Sequence, residues 1–416
     1  MTINLSVENA SMDPLPNLPP GLEQGGAEIV DMIRRRAVSN ESGVFWNGPE
    51  LQGRSAPLAP DLFDGNAGIA LFLAAWAHAE HCQISRTTAL AATLPIRRRL
   101  EEFGTLTDAA ESPSLGADID LGGGMVGIGS MIYALSRIAL WLDDTDCAQA
   151  AALAAARITP DQLRRQSRPG LADGVAGLCI ALIVAQEAAL AFGLSIDLSV
   201  STLACGTYLR DLLDRPTSAI HSGFGHGYSG IAYALTRLYD VQPDGDWHWD
   251  AHVALAQERR LFDVHLGVWL SPDGHDPVME NSWSHGPAGM LPARTALAQR
   301  GIAAPDPASE QDLQTCLALT RGQAARRRDH LNGGNLGHAL LLQQAGWDLE
   351  DADLSSLALQ IGRSVASRCP ANLFLPNAQK SLAPWTDPSL MNGLAGIGYS
   401  FLKLRRPTLP SLLLLE

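Results

Sequence analysis

The chain has 416 residues, 46% of them apolar and 18% charged, which suits a globular protein with one large core or two to three ordinary ones. Its formal net charge of −14 argues against nucleic acid and anionic membranes as main partners. A basic or neutral ligand fits such a surface, and so does a plain requirement for solubility.

In chain order, the first residues are rich in Pro and Asn and carry neither the basic nor the apolar segment of a signal peptide. Residues 1–22 read as a flexible tail. No apolar run is long enough for a membrane span. The cysteines Cys82, Cys147, Cys179, Cys205, Cys316 and Cys369 are scattered, with no C-x-x-C pair. They fit isolated thiols in a reducing compartment, and the expected location is the cytoplasm.

From Asp64 onward a Gly-x-x-Gly turn recurs seven times, in "DGNAGIALFL", "GGMVGIGSMI", "DGVAGLCIAL", "HGYSGIAYAL", "HGPAGMLPAR", "GGNLGHALLL" and "NGLAGIGYSF". The first glycines are Gly65, Gly124, Gly174, Gly227, Gly286, Gly334 and Gly393, a repeat of about fifty residues. After the first turn Ile69, Phe72, Leu73 and Trp76 share one helical face, as do Ile128, Met131, Ile132 and Leu135 after the second. Stretches such as "TTALAATLPIRRRLEEFG" and "STLACGTYLRDLLDR" predict a second, amphipathic helix in each repeat. Strand-like alternation is scarce, so the fold class is all-α. Seven helix pairs in one phase, with no polar terminal repeat, are expected to close into an α/α toroid over residues 23–416. That toroid has seven inner and about seven outer helices, with the glycines where backbones converge and a Cβ would be crowded. An open α-solenoid is the competing arrangement.

This repeat, with "GFGHGYSG" in its fourth turn and "SWSHGPAG" in its fifth, resembles the LanC-like family of lanthionine cyclases over roughly residues 55–416. The closing "MNGLAGIGYSFLKLRRPTLPSLLLLE" is similar to the cyclase domain of LanM-type synthetases. The resemblance implies addition of a peptide cysteine thiol to a dehydroalanine or dehydrobutyrine of the same peptide, giving a thioether ring. It also implies a dehydrated precursor peptide as partner, with the dehydratase or synthetase a separate chain. Zinc-dependent members hold the metal with a Cys in a W-C-x-G turn and a Cys-His pair in a C-H-G turn. The matching positions here are Ser284, Asn332 and Gly333, so no zinc cofactor is expected. A rebuilt site from His226, His285, His330 and His338 would need His338 at the centre, whereas the family's geometry points it along its helix.

Zinc holds the nucleophile as thiolate. A free Cys is only about 3% thiolate at pH 7, a deficit of roughly 2 kcal/mol. A positioned general base, worth roughly 10²–10⁴ in rate, covers that. His226 matches the family's proton-handling His; at a helix start the dipole keeps an imidazole neutral, and a His packed in its turn is the structural alternative. His285 matches a His of many synthetase-type cyclases and could orient the peptide, back up His226 or be purely structural. Asp173 lies two residues beyond the place of the family's carboxylate, occupied here by Leu171, and is expected to act mainly as a helix cap. The candidate catalytic set is His226, His285 and Asp173. The substrate-binding set is Trp283, Ser284 and Asn332, with Trp283 a core or pocket-wall residue. Two functions follow: a zinc-independent cyclase, or a degenerate scaffold that binds precursor peptide or synthetase. A hydrolase built on Asp64 and Asp173 ranks last.

Overall fold

The computed structural model describes residues 20–48, 56–109, 120–215, 220–272, 278, 281–302, 307–322, 328–369 and 387–416. It opens with α1 (Pro20–Arg35) and an antiparallel hairpin of β1 (Val38–Asn40) and β2 (Gly43–Phe45). Helix pairs follow: α2 (Asn66–Glu80) with α3 (Gln83–Ala109), then α4 (Gly127–Leu142) with α5 (Thr145–Ala156) and the short α6 (Pro160–Arg164). Next come α7 (Val175–Ala191) with α8 (Ser199–Leu213), and α9 (Tyr228–Val241) with α10 (Trp247–Arg259). A second hairpin, β3 (Phe262–Asp263) and β4 (Val268–Trp269), precedes α11 (Pro287–Gln299) with α12 (Pro307–Arg321). The chain continues through α13 (Asn335–Asp348), α14 (Ala352–Ala366) and α15 (Leu394–Arg405).

The helices that follow the glycine turns are largely buried along their length. In α7 every residue from Val175 to Ala185 is buried. Such a helix needs neighbours all round. Accordingly α2, α4, α7, α9, α11, α13 and α15 each pack against the next, and α15 packs against α2. The more polar α3, α5, α8, α10, α12 and α14 each lie on the inner helix that precedes them. The partner of α15 is α1. The expected tail therefore ends too late. Helix α1 begins at Pro20 and Leu22 is fully buried, while residues 1–19 lie outside the described residues.

The glycine three residues after the N-cap of each inner helix is a steric requirement. A Cβ on Gly68, Gly129, Gly177, Gly230, Gly289, Gly337 or Gly396 would come closer than 3.0 Å to the carbonyl oxygen six residues earlier in the same turn. The first glycine is placed as tightly at Gly65, Gly174, Gly227, Gly334 and Gly393, where a Cβ would come within 2.5 Å of backbone, but at the second turn the sequence reading needs correcting. The second turn starts its helix with Val126 as N-cap, at φ −131° and ψ 159°, not with Gly124. That extended conformation suits any residue, so the repeat at this turn is two residues out of the phase expected. None of the seven inner helices has a side-chain N-cap. In five of them the first amide bonds back into its own turn instead: Asn66 to Ala59, Val175 to Arg168, Tyr228 to His221, Asn335 to Arg328 and Leu394 to Asp387.

Backbone hydrogen bonds also link turn to turn. Phe63 N–H donates to Met125, Met125 to Ala172, Ala172 to Gly225 and Gly225 to Ser284; Asn332 donates to Met391, and Met391 back to Phe63. Between the fifth and sixth turns the link among the described residues is made by side chains. Ser284 Oγ donates to Asn332 Oδ1 at 3.3 Å.

Candidate functional site

The turn-to-turn bonds set the third, fourth and fifth turns side by side, and the histidines gather there. Ala172 N–H reaches Gly225 O at 2.8 Å and Gly225 N–H reaches Ser284 O at 3.2 Å. His226 Nδ1 then lies 3.2 Å from Asp173 Oδ1, while Arg168 approaches the other carboxylate oxygen at 3.5 Å and also pairs with Asp120. Burial pushes the Asp173 carboxyl up, but the His226 hydrogen bond and the charges of His226 and Arg168 outweigh it and hold it below the usual range. The carboxylate is thus ionised and able to pair with a protonated His226. Asp173 is not the helix cap expected from its position, since the α7 N-cap is Gly174 and lacks a side-chain bond.

His285 covers the pair. Its ring centroid is 5.6 Å from that of His226, tilted by 36°. On its other side His221 packs edge-on at 5.5 Å and 86°. His221 is half-buried, and burial together with the neighbouring His226 charge lowers its pKa, so its ring is neutral at pH 7. With 39% of its side chain exposed, His226 stays open to a molecule outside.

A charged network braces the fourth turn from beneath. Glu258 on α10 is fully buried and accepts from Gly223 N–H at 2.8 Å, Ser229 N–H at 3.3 Å and Ser229 Oγ at 2.6 Å. Arg294 of α11 donates to it at 2.8 Å and lies 3.7 Å from Asp312 of α12, which also pairs with Arg259. A buried carboxylate is tolerable only when its lone pairs are met in this way. Gly223 needs its freedom, because its φ is +112° and a Cβ would strike Ser284 O and His285 Cα.

The positions that carry zinc ligands in metal-dependent relatives do not fit the metal. Ser284 and Asn332 offer a hydroxyl and an amide already bonded to each other, and Gly333 has no side chain. Zinc is held by thiolate, imidazole or carboxylate. The remaining histidines do not supply the set. His338 Nε2 lies 3.0 Å from Thr320 O, turned toward α12 and not along its own helix. His330 is buried, accepts Gly333 N–H at 3.4 Å, and is pushed down to about 4 by burial and by Arg328. Among the described residues no group of three His, Cys, Asp or Glu side chains is placed to hold a metal ion.

The expected site residues thus separate. His226, His285 and Asp173 come together, with Ser284 adjoining and Asn332 joined to it. Trp283, expected beside substrate, is 1% exposed; its indole N–H donates to Leu413 O at 2.8 Å and its ring meets Phe224 edge-on. It belongs to the core, one of the two places the sequence left open for it. Asp64 and Asp173 do not make a carboxylate pair: Asp64 accepts from Asn392 at 3.0 Å, and Asp173 serves the fourth turn. Sequence reasoning missed His221 and Glu258. A cue for the first was available, since His221 precedes its N-cap Gly227 by the same six residues as Arg168 precedes Gly174. Glu258 is one acidic residue among many on outer helices and gave no cue.

These features define a two-layer helical protein whose repeated glycine turns carry a histidine cluster at one junction. The family model described as "Lanthionine synthetase C-like protein" matches residues 56–414, and the chain belongs to that family. No curated protein matches the sequence. Among solved structures the chain is similar to "Nisin cyclase", with 15% identity, TM-score 0.50, and coverage of 77% of this chain and 97% of that one. It is also similar to a sugar epimerase from a ruminal bacterium, with 13% identity, TM-score 0.40, and coverage of 74% and 87%. Among the described residues no helix is long and apolar enough to cross a membrane.

Proposed function

We propose that this protein is a lanthionine cyclase that closes thioether rings in a dehydrated precursor peptide without zinc, on a closed α/α toroid of seven inner and seven outer helices. A separate dehydratase or synthetase supplies its substrate, and the cytoplasm is where both work. The observation that carries the reading is the open His226–Asp173 pair beside His285, in a family whose chemistry is proton management during thiol addition. In that reaction the thiol sulfur bonds to the β-carbon, the double bond becomes an enolate, and the α-carbon takes a proton. His226 is the residue placed to give that proton, with Asp173 fixing its ring and stabilising its charge. Asn332, half-buried and joined to the buried Ser284, borders the adjoining surface for the peptide. No step needs the metal that the donor set does not fit.

The substituted ligand positions favour a second reading, a scaffold that binds precursor peptide or synthetase and catalyses nothing. The test that separates the two is free-thiol loss from a synthetic peptide carrying one dehydroalanine and one cysteine. The cyclase reading expects ring formation that His226→Ala abolishes while the thermal melt is unchanged. Ring formation no faster than without protein, or undiminished in the variant, overturns it.

A further inference from the structure

If ring closure occurs here, the thiol must lose its proton to something other than zinc, and the cluster holds three imidazoles in two environments. His226 has a carboxylate on its Nδ1 at 3.2 Å. His221 forms no ion pair with a carboxylate among the described residues; the groups facing it are the rings of His285 and, beyond, His226. The buried carboxylate below the turn, Glu258, is taken up by Gly223, Ser229 and Arg294. One imidazole thus has a carboxylate to pair with when protonated, and the other has none among the described residues. Titratable neighbours in opposed environments mark an acid and a base.

We propose that His221 is the general base that deprotonates the peptide thiol, with His226, held by Asp173, as the acid that protonates the α-carbon. The assignment rests on the cyclase reading and deepens it. His221 takes the S–H proton and the sulfur lone pair forms the C–S bond. The π pair of the double bond moves to the enolate, and the His226 imidazolium gives its proton to the α-carbon. The proton gained by His221 and the one lost by His226 cancel by exchange with solvent, to which both half-exposed rings are open. No oxidant or reductant is needed. His285, in contact with both rings, is a positioning residue that keeps them apart and oriented. The backbone of His221 already has a fixed task, because its carbonyl accepts the Tyr228 amide at 3.1 Å, so the side chain can be exchanged without removing that bond.

The experiment uses the full chain and two synthetic peptides of one sequence, each with a dehydroalanine and either a cysteine or a selenocysteine. A selenol is ionised at neutral pH without help, so it bypasses a thiol base but not an enolate acid. With the cysteine peptide His221→Asn is expected to lose roughly 10²–10⁴-fold in rate, the worth of a general base. With the selenocysteine peptide most of that loss disappears, whereas His226→Asn stays slow on both. His221→Gln, with an unchanged melt, serves as the second variant should His221→Asn unfold. Undiminished turnover in the His221 variants, or equal loss on both peptides, overturns the assignment while leaving the cyclase reading intact. No ring from wild-type protein on either peptide overturns the cyclase reading itself, and the base with it.

Discussion

Ser284 and Asn332 hydrogen-bond to each other at 3.3 Å across the fifth and sixth turns, at the two positions where metal-dependent relatives place cysteines. The other six turn-to-turn links are backbone bonds. A neutral side-chain pair therefore does the joining at this one junction among the described residues. Ser284→Ala is expected to cost about 1 kcal/mol, the net worth of such a bond, and to lower the thermal midpoint by a few degrees at most. A loss several times larger would mean that the junction carries more of the fold than one bond.

Restoring the ligands should restore the metal. The combined variant Ser284→Cys, Asn332→Cys, Gly333→His is expected to retain one zinc per chain after dialysis, measured by elemental analysis, while the natural chain retains none. Stoichiometric zinc in the natural chain would show that its histidines had assembled a site by another route.

Glu258→Ala should destabilise the protein by roughly 3–5 kcal/mol, because it strands Arg294 in the interior and removes the acceptor of the Gly223 and Ser229 amides. Urea unfolding measures the loss. The fourth turn should loosen at the same time, seen as faster amide exchange at Gly223 and Ser229. Protection unchanged at those amides would detach Glu258 from the histidine turn.

His330 makes stability depend on pH. Its folded pKa of about 4 lies below the unfolded value near 6.5, so the unfolded chain binds the extra proton between those limits. The contribution is complete above the unfolded value and is lost as pH falls toward the folded one. Its full size is roughly 3 kcal/mol by the usual conversion. Unfolding curves from pH 7 to pH 4 should therefore steepen for the natural chain relative to His330→Gln. Parallel curves would refute the effect.

Gly177→Ala and Gly337→Ala should each cost at least about 3 kcal/mol, since the added Cβ collides with a carbonyl that the turn cannot move. Gly193→Ala, at φ +65° with open space around it, should cost only about 1 kcal/mol. Comparable melts for the three variants would contradict the steric reading.

What the sequence disclosed follows the same physics. The second glycines were legible because a collision with the chain's own backbone leaves no other choice. The phase of the second turn was not, since an extended N-cap accepts Val126 as readily as glycine. His226 and His285 stood out by their motifs, but the partner of Asp173 lies 53 residues away and no local pattern announces it. Nor could spacing show that α1, before the first repeat, completes the last one.

The pairing of α1 with α15 has a consequence for how the molecule is made. During synthesis α1 emerges before the repeats and must wait, its buried face bare, until α15 has followed. Helices α2 and α15, which become neighbours, are likewise kept apart until the end. Contacts of such long sequence separation form slowly. The nascent chain is then an open arc with two apolar flanks, and those flanks are where a chaperone would be needed or a second chain would wrongly attach.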